Sequence, residues 1–305
     1  MKILLTGASG FLGRHVLKEL ENYPLRLLVL PDDHTLPEIQ KYAETVTADI
    51  TSPESLPPVL DGITHVVHLA GFVNGGSGPN EKFMAVNAQG TFNLAQASLE
   101  AGVTHFIYTS SITVYGHSQG ADEESPPVST PGYPASKIQA EKALNQLLPE
   151  KATILRLPLL LGAGDKGFMY PAIDAFRQSG RVVIIGSGNA PWSVLAASDA
   201  ARAITLCITE SDTHGCTYNV LGENITNAKL LRAIGKMANC SRETHLPYYV
   251  AWTAAALNEL IGGDGLTRSQ VRALSRPLSM KGDRFAKLGF HTKTSWQEAL
   301  LQASN

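Results

Sequence analysis

Cysteine is nearly absent: Cys207, Cys216 and Cys240 are the only three in 305 residues. They are scattered and odd in number, without metal-ligand spacing. That excludes a disulfide framework and a cysteine-built metal centre, and reads as buried thiols of a reducing compartment. An excess of one charge is lacking too, since 25 basic against 27 acidic residues leave a net charge of −2 with no block of either sign. Without a basic stripe to neutralise phosphates, nucleic acid is not expected as a partner. No apolar run approaches the ~20 residues that span a bilayer. The longest, around Tyr248–Leu257, is short and punctuated. Strand-like residues begin directly after Met1-Lys2, so no leader peptide is visible. The expectation is a cytoplasmic protein with no membrane partner. Internal repeats, low-complexity tracts and long linkers are also missing.

What is present is ordinary for a soluble enzyme, at 44% hydrophobic and 17% charged residues. The chain is long enough for one large domain or two. Its organising stretch is Lys2–Gly13, KILLTGASGFLG. Ile3-Leu4-Leu5 reads as a strand buried on both faces, and Arg14–Leu20 repeats apolar residues at helical spacing. Between them Gly7 allows a tight turn, Gly10 lets a pyrophosphate approach the backbone, and Gly13 lets helix and strand pack closely. The helix N-terminus then faces the phosphates.

Further strands are expected at Leu25–Leu30, Thr45–Ile50, Thr64–Leu69, His105–Ser110 and Thr153–Leu157. Helical patterns lie between them at Leu36–Ala43, Pro53–Leu60, Glu81–Ala101 and Tyr133–Leu148. That alternation predicts an α/β fold, a doubly wound parallel sheet of Rossmann type, with its ligand at the carboxyl ends of the strands. After Pro158 the rhythm loosens into glycine-rich loops, short strands and isolated helices. We therefore expect a dinucleotide-binding domain over 1–158 and a smaller mixed α/β lobe over 159–305, with a strand near 214–222 as one that can return to the main sheet.

Tyr133-Pro134-Ala135-Ser136-Lys137 opens a helix and sets a phenol and an ammonium one turn apart on one face. Populating phenolate at neutral pH means lowering a pKa near ~10 by roughly 3 units, about 4 kcal/mol. One positive charge at ~6 Å supplies about 3 kcal/mol at an effective dielectric near 20. Lys137 alone falls short, and the charge of an oxidised nicotinamide could supply the rest. Ser110 and Ser111 close the fifth strand and place hydroxyls at the sheet's carboxyl edge, where one can hold a substrate oxygen.

Taken together, Thr6–Gly13, Asp49-Ile50, His68–Gly71, Asn87, Ser110–Gly116, Tyr133–Lys137, Leu155–Pro158, Gly162 and Ser198–Ala203 resemble the extended short-chain dehydrogenase/reductases, the NAD-dependent epimerase/dehydratase superfamily. The resemblance covers nearly the whole chain. It implies Ser111, Tyr133 and Lys137 as the catalytic group, with Tyr133 as acid/base and Lys137 lowering its pKa while holding the nicotinamide ribose. It implies cofactor contacts from Gly7, Ser9, Gly10, Phe11, Leu12, Asp32, Asp49, Ile50, Leu69, Ala70, Gly71, Asn87 and Pro158, and no metal. Asp49 and Ile50 would border the adenine, while Asn87 would support the end of the fourth strand. Asp199 is expected to fix the second lobe's fold. Many relatives pair through two helices, here Glu81–Ala101 and Tyr133–Leu148, so a homodimer stays open.

Two departures bear on detail. The acidic end of the second strand, Leu30-Pro31-Asp32-Asp33, favours NAD over NADP, although Arg14 is a cation that could meet a 2′-phosphate. Nucleotide-sugar enzymes of this family usually carry Arg seven residues before the position of Asp199, where this chain has Trp192. A diphosphate without a cationic clamp would be poorly held. Leu155–Pro158, Leu160, Phe168, Met169, Tyr170 and Trp192 look instead like a pocket for a neutral or apolar small molecule. That is the pattern of the dihydroflavonol-reductase and 3β-hydroxysteroid-dehydrogenase-like branch. The leading expectation is an NAD(P)-dependent alcohol/ketone oxidoreductase, and the alternative a nucleotide-sugar epimerase or dehydratase that recycles its NAD. A non-catalytic dinucleotide sensor would be expected to have lost Tyr133 or Lys137, and this chain keeps both.

Overall fold

The computed structural model describes residues 1–73, 78–263 and 265–303. The first half runs β1 (Ile3–Thr6), α1 (Phe11–Glu19), β2 (Leu25–Val29), α2 (Leu36–Ile39), β3 (Glu44–Thr47), β4 (His65–His68), α3 (Asn80–Phe83), α4 (Gly90–Glu100), β5 (His105–Ser111), β6 (Gln119–Ala121), α5 (Tyr133–Leu147) and β7 (Ala152–Leu157). The second half continues with β8 (Leu159–Leu161), α6 (Met169–Ser179), β9 (Val182–Ile185), β10 (Pro191–Ala196), α7 (Ala197–Thr209), β11 (Thr217–Asn219), β12 (Glu223–Thr226) and α8 (Asn227–Met237). It ends with β13 (Glu243–Leu246), α9 (Tyr248–Leu260), α10 (Arg268–Ser275), β14 (Ser279–Met280) and α11 (Trp296–Gln302).

Seven strands form one parallel sheet in the order β11-β7-β5-β4-β1-β2-β3. The order reverses at β1, so the doubly wound sheet opens a crevice at the carboxyl ends of β1 and β4. Alternating side chains build the two faces. Ile3 and Leu5 pack with Val16 and Leu17 of α1 and with Ala200 and Ile204 of α7. Leu4, Val66 and Phe106 turn the other way, onto Leu94 of α4 and Leu144 of α5. Because both faces are covered, these strands read as continuous apolar runs. β11 comes from the second half of the chain and pairs with β7. A separate three-stranded sheet, β12-β10-β8, packs with α6, α8 and α11 around Met169, Trp192, Ile225 and Trp296.

Differences from the expected elements have local causes. Pro53–Leu60 is two 3-10 turns, Pro53–Ser55 and Pro57–Leu60, because Pro57 and Pro58 lack the N–H groups an α-helix would use. Glu81–Ala101 is broken by a π-helical stretch, Met84–Gln89, between α3 and α4. Such widened turns recur at functional sites, and this one carries Asn87. All three cysteines are free thiols, with Cys207 buried and Cys216 and Cys240 only half-buried.

Candidate active site

The glycine turn is fixed by contacts that a side chain would destroy. Gly7 has φ +73°, and a Cβ there would lie 2.7 Å from the backbone N of Ala70. A Cβ on Gly13 would sit 2.1 Å from the carbonyl oxygen of Gly7. Gly10, in contrast, is exposed and caps α1 with no side-chain bond. The first-turn N–H groups of α1, those of Phe11 and Leu12 among them, therefore have no side-chain cap, as an anion site requires. Ser9, Phe11 and Leu12 are half-buried around this turn. Ala163 bonds His15 Nε2 at 3.2 Å, so the loop after β8 lies over the start of α1.

Beside the turn, β4 ends in a chain of hydrogen bonds with one direction. Ala70 N–H donates to Thr6 Oγ1 (3.2 Å), and Thr6 Oγ1 pairs with His68 Nδ1 (2.7 Å). His68 Nε2 meets Thr91 Oγ1 (3.0 Å), and that hydroxyl donates to the Asn87 carbonyl (2.6 Å). Since Thr91 spends its proton on Asn87, His68 must donate from Nε2 and accept at Nδ1, as a neutral ring. Burial pushes His68 down to about 3, and Lys137 adds to that effect. Neither Thr6 nor His68 and Thr91 was assigned a role from the sequence. The signal was there, as polar residues paired in register inside otherwise apolar strands.

Asn87 clasps the segment that follows. Its Oδ1 accepts from Phe72 N–H (2.7 Å), and its Nδ2 donates to the Phe72 carbonyl (2.9 Å) and to Ser136 Oγ (3.1 Å). It thus ties Gly71-Phe72 to the first turn of α5. Leu69 and Ala70 are half-buried and Gly71 is exposed along this edge. A Cβ on Gly71 would lie 3.8 Å from Lys137 Nζ, so the ammonium sits beside the backbone that abuts the glycine turn.

Lys137 is buried and donates to the Thr109 carbonyl at 2.8 Å, with Nζ 4.6 Å from the Tyr108 ring centre and 5.7 Å from that of Tyr133. Burial pulls it down to about 8, against the carboxylate of Glu141, which raises it. Tyr133 is half-buried, and burial pushes its phenol up to about 12 while the Ser111 hydroxyl pulls the other way. The depression expected from Lys137 is not seen: desolvation sets the direction, and what opposes it is the Ser111 hydroxyl. Ser111 accepts from Thr113 N–H (3.2 Å) and from Thr113 Oγ1 (3.0 Å). With both lone pairs engaged, the Ser111 proton is what remains to offer.

Ser110 turns away from the crevice and donates to Glu141. Glu141 takes a bidentate pair from Arg156 (3.0 and 2.6 Å), and Arg156 donates to Tyr115 Oη (2.6 Å). This buried network lies beneath Lys137, on the core side. Pro158 is buried between β7 and β8, next to Leu157, which pairs with Ser111.

At the end of β2 the acid nearer the turn is Asp33. Asp32 is exposed in the loop. Burial works to raise Asp33, but bonds from Thr35 and from the Ser9 hydroxyl prevail and hold it below the usual carboxylate range. Arg14 donates to the Ser9 carbonyl (3.3 Å) and pairs with Glu38 (2.9 Å), so it is already occupied. Asp49 accepts twice from Thr51 at 2.8 Å, while Ile50 is buried against Gly90. Asp199 is fully buried and anchors the backbone of Lys293 and Thr294. The apolar pocket drawn from Met169 and Trp192 is corrected as well. Both are buried in the core of the second lobe, with Trp192 Nε1 bonded to the Arg276 carbonyl at 3.0 Å.

An uncapped helix start, an exposed glycine, an acid beside it and a buried ammonium along the same edge suit a dinucleotide. The family model for the NAD dependent epimerase/dehydratase family matches residues 3–220. The chain belongs to that family. That family, the extended short-chain dehydrogenase/reductases, includes epimerases, dehydratases and 3β-hydroxysteroid-dehydrogenase-like enzymes.

Among its relatives, an N-acetyl-α-D-glucosaminyl-diphospho-ditrans,octacis-undecaprenol 4-epimerase of Escherichia coli O157:H7 is 32% identical over 194 residues, 61% of this chain and 57% of that protein. The human 3 beta-hydroxysteroid dehydrogenase type 7 is 31% identical over 243 residues, 67% of this chain and 65% of that protein. The chain thus spans less than two thirds of the length of these curated relatives. Among solved structures, gox2253 has a TM-score of 0.82 at 27% identity, covering 99% of this chain and 96% of that one. The Thermotoga maritima UDP-glucose 4-epimerase, at 20% identity, shares the fold with a TM-score of 0.81, over 100% of this chain and 97% of that one. Among the described residues, no cluster of His, Cys, Asp or Glu could hold a metal ion, and no helix is long and apolar enough to cross a membrane.

Proposed function

We propose that this family member interconverts a secondary alcohol and a ketone or aldehyde on a neutral or largely apolar substrate, with NAD favoured as its dinucleotide. Residues 1–158 would form the dinucleotide-binding domain and 159–305 the substrate lobe. The observation that carries the reading is the meeting of Ser111, Tyr133 and Lys137 at one edge, next to Gly71 and the glycine turn. When bound, the nicotinamide supplies or accepts the hydride.

The chain's own residues do the rest. Ser111 would turn the proton it directs at the Tyr133 phenol toward the substrate oxygen, and Tyr133 Oη gives or takes the proton that balances the hydride. Lys137, held by the Thr109 carbonyl, keeps a positive charge where the nicotinamide ribose and the phenol would meet it. Phe11 and Leu12 N–H groups would hold the pyrophosphate, and Asp33 the adenosine ribose. A carboxylate there repels a 2′-phosphate, and Arg14 is paired with Glu38. These two facts support NAD.

No arginine stands at position 192, whose side chain lies in the core, so that position supplies no cationic clamp for a diphosphate, and the steroid named in the human relative agrees in class. The alternative, epimerisation of a nucleotide-linked sugar, has partial support in the Escherichia coli relative, which is named for 4-epimerisation of a diphosphate-linked sugar carried on undecaprenol rather than on a nucleotide. Binding of UDP-sugars measured by calorimetry separates the two. For the reaction itself, Tyr133→Phe is expected to lose most turnover on a carbonyl substrate, while NADH affinity changes little. Turnover near wild type would remove the proton-transfer role.

A further inference from the structure

Six of the fourteen large apolar side chains exposed among the described residues fall within one short hairpin: Tyr249, Val250, Leu257, Leu260, Ile261 and Leu266. It comprises α9, the turn after it and the start of α10. α9 is apolar nearly all round, with no charged residue before Glu259, yet it buries only Ala251 and Ala255. A helix of that kind normally lies inside a core or a bilayer. Here its outward stripe is bare, and exposure climbs toward the tip: Leu257 is 63%, Ile261 78% and Leu260 82% exposed.

One flank of the stripe is cationic. Arg268 and Arg272 lie over the Trp252 ring at 5.7 and 5.4 Å, and Arg276 lies over Tyr248 at 5.8 Å. Arg268 pairs with Glu259, whereas Arg272 and Arg276 have no carboxylate partner among the described residues. Ring-stacked arginines beside an apolar stripe have the makings of an interfacial helix, its rings at headgroup level and its leucines below.

We propose that the α9–α10 hairpin docks on an anionic lipid surface, with Leu257, Leu260 and Ile261 entering the acyl boundary and Arg272 and Arg276 meeting the headgroup phosphates. Charge complementarity selects this occupant over a second copy of the chain. A twofold contact through this stripe would bring unpaired arginine rims of the same sign together. The protruding tip also buries more of its surface in a fluid than against a flat partner. The surface lies outside the catalytic group and stands independently of the reaction proposed above. It departs from the expectation of no membrane partner.

The test uses the full chain and vesicles of phosphatidylglycerol or of phosphatidylcholine, read by co-sedimentation. Binding to the anionic vesicles is expected, weakening as salt is raised. Leu257→Glu/Leu260→Glu should cut that binding about tenfold or more, with NADH affinity and circular dichroism unchanged. Arg272→Gln/Arg276→Gln should weaken binding to phosphatidylglycerol and leave the weaker binding to phosphatidylcholine alone. The proposal fails if the wild type binds neither vesicle, or if the glutamate variant binds as well as the wild type. It fails equally if light scattering shows a dimer that the glutamate variant abolishes, because the stripe is then covered by a second copy.

Discussion

Glu141→Gln isolates the electrostatics under the proposed catalytic group. Lys137 is an ammonium buried with a single backbone bond, and burial has brought it from 10.5 to about 8 even with Glu141 opposing. Glu141 lies one helical turn away, at ~6 Å. At an effective dielectric near 20, a unit charge at that distance is worth about 3 kcal/mol, or about 2 pKa units. Glutamine keeps the shape and removes the charge, so Lys137 should titrate lower still than about 8. Titration of ε-13C-labelled lysine by NMR reads this directly, and NADH affinity should weaken over the same range.

The variant also strands Arg156, whose bidentate pair with Glu141 is buried. Stability should fall by about 3 kcal/mol or more. Adding Arg156→Met removes the stranded charge and should restore most of the stability, while Lys137 stays low because the Glu141 charge is still missing. If the network were scaffolding alone, loosening it would admit water and move Lys137 upward, toward 10.5. An unchanged or higher Lys137 titration in Glu141→Gln would refute the reasoning.

Three further outcomes can be checked. Gly13→Ala drives a methyl onto the Gly7 carbonyl at 2.1 Å and should cost about 3 kcal/mol or more, read from denaturant midpoints. Asp33→Asn should weaken NADH binding several-fold and narrow the preference for NADH over NADPH. If Asp32→Asn does this instead, the assignment at the end of β2 is wrong. His68 and His105 are buried, and burial brings each from 6.5 to about 3. Both are neutral in the fold while the unfolded chain takes up protons, so their stabilising effect is complete above pH 6.5 and is lost as pH falls from 6.5 toward 3. Denaturation at pH 7, 5 and 4 should show this, with a shallower slope in His68→Gln.

The parallel sheet was legible because strands buried on both faces must be apolar throughout, and Ile3–Leu5, Val66-Val67 and Phe106-Ile107 are. The glycine turn was legible because only glycine tolerates its contacts. Tyr133 and Lys137 share a face because four residues make about one helical turn, whatever surrounds them. Local spacing thus determined the fold class, the turn and the four-residue pair.

Environment could not be read the same way. What governs the Tyr133 phenol depends on what packs there, and desolvation prevails over the Ser111 hydroxyl. Asp32 and Asp33 are adjacent and chemically alike, and only the path of the chain after β2 turns the second toward Ser9. Ser110 and Ser111 are neighbours as well, but successive strand residues face opposite sides of the sheet. One therefore donates to Glu141 in the core, while the other stands opposite Tyr133. Aromatic residues at 168–192 have the same composition whether they line a pocket or fill a core, and tertiary packing put Trp192 in the core. Sequence carries what depends on neighbours along the chain; desolvation and facing direction depend on neighbours in space, which only the folded structure supplies.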